Sequence, residues 1–112
     1  MTTTYLTTAF SPNMLSSGTM ALIKETSLDK VKDNLNKINW TSAVGHEITA
    51  NVLTALLGCE VKFNRTNLTL GVGDDVICVI PSFRANMARE FTREEVEAAG
   101  YRCFHIKTRE AL

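Results

Sequence analysis

Apolar and polar positions alternate along the start of the chain. Tyr5, Thr7 and Ala9 fall on one side of an extended backbone and Thr4, Leu6, Thr8 and Phe10 on the other, so Thr3 to Phe10 is predicted to be a strand. Ser11-Pro12-Asn13 ends it with a turn, because Pro fixes φ and Ser and Asn favour turns. After the loop Ser16-Ser17-Gly18, Met20 to Glu25 reads as a second strand. The period then changes. Leu28, Val31 and Leu35 recur at i, i+3 and i+7 behind Ser27, with Asp29 in the first turn, which predicts a helix. Beyond Trp40 a second helix is predicted, with Thr41 or Ser42 as its cap, Ile48, Val52, Leu53, Leu56 and Leu57 as its apolar face, and Gly58 as its stop.

The second half reads as short strands. Glu60 to Phe63 and Leu68 to Val72 are predicted strands separated by the turn Asn64-Arg65-Thr66. Gly73-Asp74-Asp75 is a hairpin-type turn leading into Val76 to Ile80, a fully apolar run that Pro81 closes. Thr92-Arg93-Glu94-Glu95 has the form of a capping box opening a third helix that Gly100 ends, and Tyr101 to Lys107 is a final strand. Strands and helices mix without a strict βαβ repeat. The expected fold is α/β (or an α+β sandwich): a single compact domain over residues 1–112, with a central mixed β-sheet flanked by helices.

Composition narrows the function classes. Twelve Lys and Arg balance 12 Asp and Glu, which argues against an electrostatic coat for duplex DNA. It leaves room for a small anionic ligand held by a few local cations. The longest apolar run has five residues, Val76 to Ile80, and a spanning helix needs about 20, so no membrane partner is expected. The N-terminus lacks the basic and apolar regions of a secretory signal, which points to the cytoplasm. The three cysteines, Cys59, Cys78 and Cys103, sit in apolar surroundings without a CxxC, and neither His has zinc-finger spacing from a Cys pair. They read as buried reduced thiols, and no metal site or cofactor is expected. Only Cys103 has a nearby base in sequence, His105 two residues on, and His105 itself reads as structural.

The candidate chemistry lies in Ser42-Ala43-Val44-Gly45-His46-Glu47-Ile48-Thr49. It places Gly45 and His46 in the first turn of a strongly amphipathic helix. A helix start offers unpaired N–H groups and a positive dipole end, and Gly lets a phosphate come close. A phosphate beside His46 favours the protonated imidazole that a general acid requires. The plainer reading is a His at an exposed helix start. Arg65, in a turn between strands, and Arg84, just past the buried strand, stand in loops where ligands meet an α/β scaffold. Arginine grips phosphate through paired N–H bonds; the plainer reading of each is a solvated charge.

In the order YLTTAFSPNML, SAVGHEIT, LLGCEV, FNRT and PSFR, from Tyr5 to about Ile106, the chain resembles the viral anti-CRISPR ring nuclease family, found in archaeal viruses, bacteriophages and integrated elements. The resemblance implies a homodimer whose cleft binds cyclic tetra-adenylate, the second messenger of type III CRISPR defence. It implies metal-independent cleavage to linear di-adenylate with a 2′,3′-cyclic phosphate. Carried over by position, His46 is the general acid. The ligand contacts fall on Ser11, Asn13, Gly45, Thr49, Arg65 and Arg84. For a viral protein the setting is the host cytoplasm.

The chain departs from the family at three places. Thr8 stands where many members carry Asn, and it is the shorter ligand contact. Met87 stands where Glu is common, three residues after Arg84, which leaves Glu90 as the candidate to position the 2′-hydroxyl. Ile80 stands where viral relatives can carry Gln. Thr8 and Met87 favour the alternative that the chain is a non-catalytic sponge for a cyclic oligonucleotide. A third expectation, a small interaction or DNA-binding protein, finds no basic stripe to support it.

Overall fold

The computed structural model describes residues 3–81, 94 and 100–110. Five strands form one mixed sheet: β1 (Thr4–Thr7), β2 (Thr19–Thr26), β3 (Thr41–Ser42), β4 (Asp75–Pro81) and β5 (Tyr101–Glu110). Their spatial order is β2-β5-β4-β1-β3. β1 lies between two parallel neighbours, β3 and β4, whereas β5 runs antiparallel to both β4 and β2. The helices described are α1 (Leu28–Lys37) and α2 (Glu47–Leu57), so the α/β mixed-sheet expectation holds. No helix among the described residues is long and apolar enough to cross a membrane.

The alternation along β4 builds two cores. Ile77 and Val79 face one side, where Leu6, Cys103, Val31 and Leu35 of α1, and Val52, Leu53, Leu56 and Leu57 of α2 pack together. Val76 and Cys78 face the other, against Leu70, Ile106 and the half-buried Phe10, Met14 and Leu15. A strand buried on both faces must be apolar at successive positions, which is why Val76 to Val79 reads as a continuous run. Ile80, at its end, is exposed.

Helix α1 begins as the sequence predicts. The Ser27 side chain accepts a bond from the Lys30 amide at 3.3 Å, and Val31 and Leu35 are buried. Helix α2 ends at Gly58, whose φ of 71° is costly for residues with a Cβ, and the Gly58 N–H returns to Thr54 O at 3.0 Å.

The start of α2 corrects the prediction. Thr41 and Ser42 do not cap it; they form β3, in register with Tyr5 and Leu6 of β1. Ser42 donates its hydroxyl to Lys62 O at 2.6 Å, and Ala43 N donates to Leu6 O at 2.8 Å. These bonds hold the segment extended, and the helix opens at His46. The first strand is also shorter than expected, ending at Thr7.

Two predicted strands are each reduced to a single bridge. Leu68 to Val72 was expected to form a hairpin with β4, but both edges of β4 are taken by β1 and β5. One bridge remains, Leu70 with Leu15, and the Asp74 carboxylate binds Gly71 N at 2.9 Å and Thr3 N at 3.0 Å. Glu60 to Phe63 likewise contributes a single bridge, Phe63 with Val44. The helix predicted from Thr92 lies outside the described residues, Glu94 aside.

The thiols divide by burial. Cys78 and Cys103 are buried and Cys59 is partly exposed, which corrects the expectation of three buried thiols. Burial, with smaller contributions from the Cys103 thiolate on Cys78 and from the Glu25 carboxylate on Cys103, pushes Cys78 up to about 12 and Cys103 up to about 11 from the ordinary 9.0. That is the reverse of an activated thiolate, and it removes Cys103 as a nucleophile beside His105. In the unfolded chain both thiols ionise near pH 9, so above that pH the unfolded state binds fewer protons than the native one. Their contribution to stability is therefore complete below about pH 9 and lost as pH rises toward 11–12. Ellman's reagent at pH 8 should modify Cys59 alone until denaturant is added, and the urea midpoint should fall above pH 9. Three thiols reacting at one rate in native protein would contradict this burial.

Candidate functional site

The carboxyl ends of β1, β3 and β4 lie at one end of the sheet, where ligands meet open α/β scaffolds. From β3 the chain passes through Ala43, Val44 and Gly45 into α2. His46 occupies the N-cap position, with φ −133° and ψ 129°, immediately before the first turn in which it was predicted. Its exposed imidazole makes no capping bond, so the cap side chain leaves the first amides of α2 uncapped. Three residues on, Thr49 is buried, and its Oγ1 has no hydrogen-bond partner among the described residues.

Arg65, which follows α2 in the chain, returns to this helix start. A Cβ built on Gly45 would lie 3.6 Å from Arg65 Cγ, so the arginine stem packs against Gly45. The φ of Gly45 is not positive, so its place here is one of close approach. Arg65 is exposed, on a loop without regular structure. Gly45, His46, Thr49 and Arg65 are thus brought to one end of α2.

Ser11 and Asn13 form the second part. Ser11 caps a 3₁₀ turn, Pro12–Met14, by accepting the Asn13 amide at 3.3 Å. Together with Thr66, Asn67 and Leu68, which continue directly from Arg65, these residues line a surface cavity of about 310 Å³. Thr8 follows β1 and is half-buried. Thr7 before it places Oγ1 at 3.4 Å from both Ala9 O and Ala43 O, tying the end of β1 to the approach to α2. Arg84, Met87 and Glu90 lie outside the described residues.

His105 stands on β5, partly exposed, with Nε2 3.9 Å from an Asp75 carboxylate oxygen. No group of three or more His, Cys, Asp or Glu among the described residues is arranged to hold a metal ion. The sequence reads Ser42 as a possible helix cap and Asn64 as a turn residue; the structure makes them the joint between the two sides of the site. Asn64 Nδ2 donates to Ser42 O at 2.5 Å and Asn64 N to Val44 O at 2.9 Å. Asparagine before an arginine in a turn carries no signal of this, because the acceptor lies 22 residues away.

A five-stranded mixed sheet with two described helices, one of them opening at an uncapped start beside an arginine, defines a small α/β protein. The chain belongs to the STIV B116-like family, whose model matches residues 4–103. It is 35% identical over 79 residues to uncharacterized protein 26 of Sulfolobus islandicus filamentous virus (isolate Iceland/Hveragerdi), covering 70% of this chain and 67% of that protein. It is 34% identical over 88 residues to uncharacterized protein ORF117 of Acidianus two-tailed virus, covering 76% and 75%. In fold it is similar to B116 of Sulfolobus turreted icosahedral virus, with a TM-score of 0.79 at 23% identity over 94% of this chain and 98% of that one. The family is thus one of viral proteins.

Proposed function

We propose that this protein is a metal-independent ring nuclease that binds cyclic tetra-adenylate as a homodimer and silences type III CRISPR signalling. The observation that carries the reading is the start of α2: an exposed imidazole at an uncapped helix N-terminus with an arginine stem packed beside it. The buried Thr49 hydroxyl, without a partner among the described residues, supports it, since buried polar atoms ordinarily have partners. Membership of a viral family suits a protein directed against host defence.

The chemistry suits so sparse a site because the substrate carries its own nucleophile. A ribose 2′-oxygen attacks the adjacent phosphorus, the bond to the 5′-oxygen breaks, and the 2′,3′-cyclic phosphate forms. His46 gives its proton to the departing 5′-oxygen, while the 2′-hydroxyl proton passes to solvent or to Glu90. Holding the three reacting atoms in line contributes on the order of 7–11 kcal/mol in ideal cases. Arg65 and Arg84 stabilise charge developing on the phosphate oxygens. Two such cuts, one from each protomer, turn one ring into two linear di-adenylates.

The test is incubation of excess protein with cyclic tetra-adenylate in EDTA, with products resolved by chromatography and mass. Linear di-adenylate ending in a cyclic phosphate is the expected product. Intact ring co-eluting with the protein would replace the nuclease by a sponge, the outcome that Thr8 and Met87 favour. Neither binding nor cleavage would overturn both.

A further inference from the structure

We infer that Asn64 is a positioning residue: its side-chain amide, bonded to Ser42 O, fixes Arg65 against the helix start that carries His46. This rests on the ring-nuclease reading for what Arg65 binds, but the brace itself is a property of the free protein.

The segments 42–44 and 62–64 run alongside each other, and their contacts are made by few groups. Ser42 Oγ donates to Lys62 O at 2.6 Å and accepts from Val44 N at 3.3 Å. Asn64 N donates to Val44 O at 2.9 Å, and Asn64 Nδ2 donates to Ser42 O at 2.5 Å. Only one bridge, Val44 with Phe63, supplements them. Each segment leads directly into the site: Val44 is two residues before His46, and Asn64 is one residue before Arg65.

The position of an arginine head depends on where its Cα and stem are held, because the side chain has many rotamers of similar energy. Arg65 is exposed and its loop has no regular structure up to the Leu70 bridge. The last strong anchor before it is Asn64, and its stem packs against Gly45. Asn64 is itself exposed, yet it places its amide on a carbonyl of a buried residue. Aspartate has the same shape and cannot donate, so its carboxylate would face Ser42 O and repel it. Loss of this bond frees the turn, and Arg65 must then be ordered at the expense of binding.

Asn64→Asp and Asn64→Ala should therefore weaken binding of labelled cyclic tetra-adenylate about tenfold and slow its single turnover at saturating ligand, because Arg65 also stabilises charge developing on the phosphate. In an Arg65→Ala background neither should weaken binding further, because Asn64 acts through Arg65. Without ligand, amide exchange at Val44 and at residue 64 should quicken at least tenfold in Asn64→Asp, with Leu53 unchanged. Unchanged exchange at Val44 overturns the brace. So does an equal loss of affinity in the presence and absence of Arg65, which would mark a merely structural role. If wild-type protein neither binds nor cleaves the ring, the ring-nuclease reading fails instead, and the exchange result alone decides the brace.

Discussion

His46→Ala should lower the single-turnover cleavage of cyclic tetra-adenylate by roughly 10²–10⁴-fold, the range a general acid supplies. Fold and affinity should be almost untouched, and the structure says why. The imidazole is exposed, makes no capping bond and belongs to neither core, so no packing or cap among the described residues depends on it. Exposed substitutions of that kind change stability by about 0.5 kcal/mol or less. Ligand affinity should come instead from Arg65 and the free amides of α2, which the substitution leaves in place. On the proposed reading the variant separates two roles that share a few residues of chain: it should lose the proton donor and keep the phosphate seat. A rate within threefold of wild type, at saturating ligand, would remove His46 from the chemistry. A loss of binding equal to the loss of rate would make it a ligand contact only.

Much of this site was legible because it depends on local order. Gly45 and His46 announce a helix start through the apolar period that follows them, and Ser27 announces α1 through its cap. What the sequence did not disclose depends on partners far along the chain. Ser42 looks like a cap because it is a serine ahead of an apolar period; it is a strand because Leu6 and Lys62 take its neighbour's amide and its hydroxyl. Leu68 to Val72 has a strand's composition, but β1 and β5 reach both edges of β4 first. A short apolar segment states that it will be buried and leaves open which neighbour will bond it. Asn64 is the same case in miniature, a turn residue by type whose acceptor is 22 positions away.

The second large effect should come from the core beneath the site. Leu53→Ala should destabilise the protein by about 2.7–5 kcal/mol, as full-sized leucine deletions in packed cores do. Leu53 is fully buried in α2, four residues after Thr49 and on the same helical face, within the cluster that joins α1 and α2 to Leu6, Ile77 and Val79. Removing its branched end takes away transfer energy and leaves a cavity between helix and sheet. At 112 residues, 3 kcal/mol corresponds to a fall in Tm on the order of 10–20 °C. Asn51→Ala, on the exposed side of the same helix, should stay within about 0.5 kcal/mol of wild type. The pair tests the orientation of α2, and with it the direction in which its amino end points. A cost below about 1 kcal/mol at Leu53 would mean the face is not packed on the sheet, and His46 and Arg65 would no longer be held at a common end. Because the α2 start is fixed on one side by bonds to β1 and Asn64 and on the other by this packing, Leu53→Ala should weaken ring binding in protein that is still folded. His46→Ala should not.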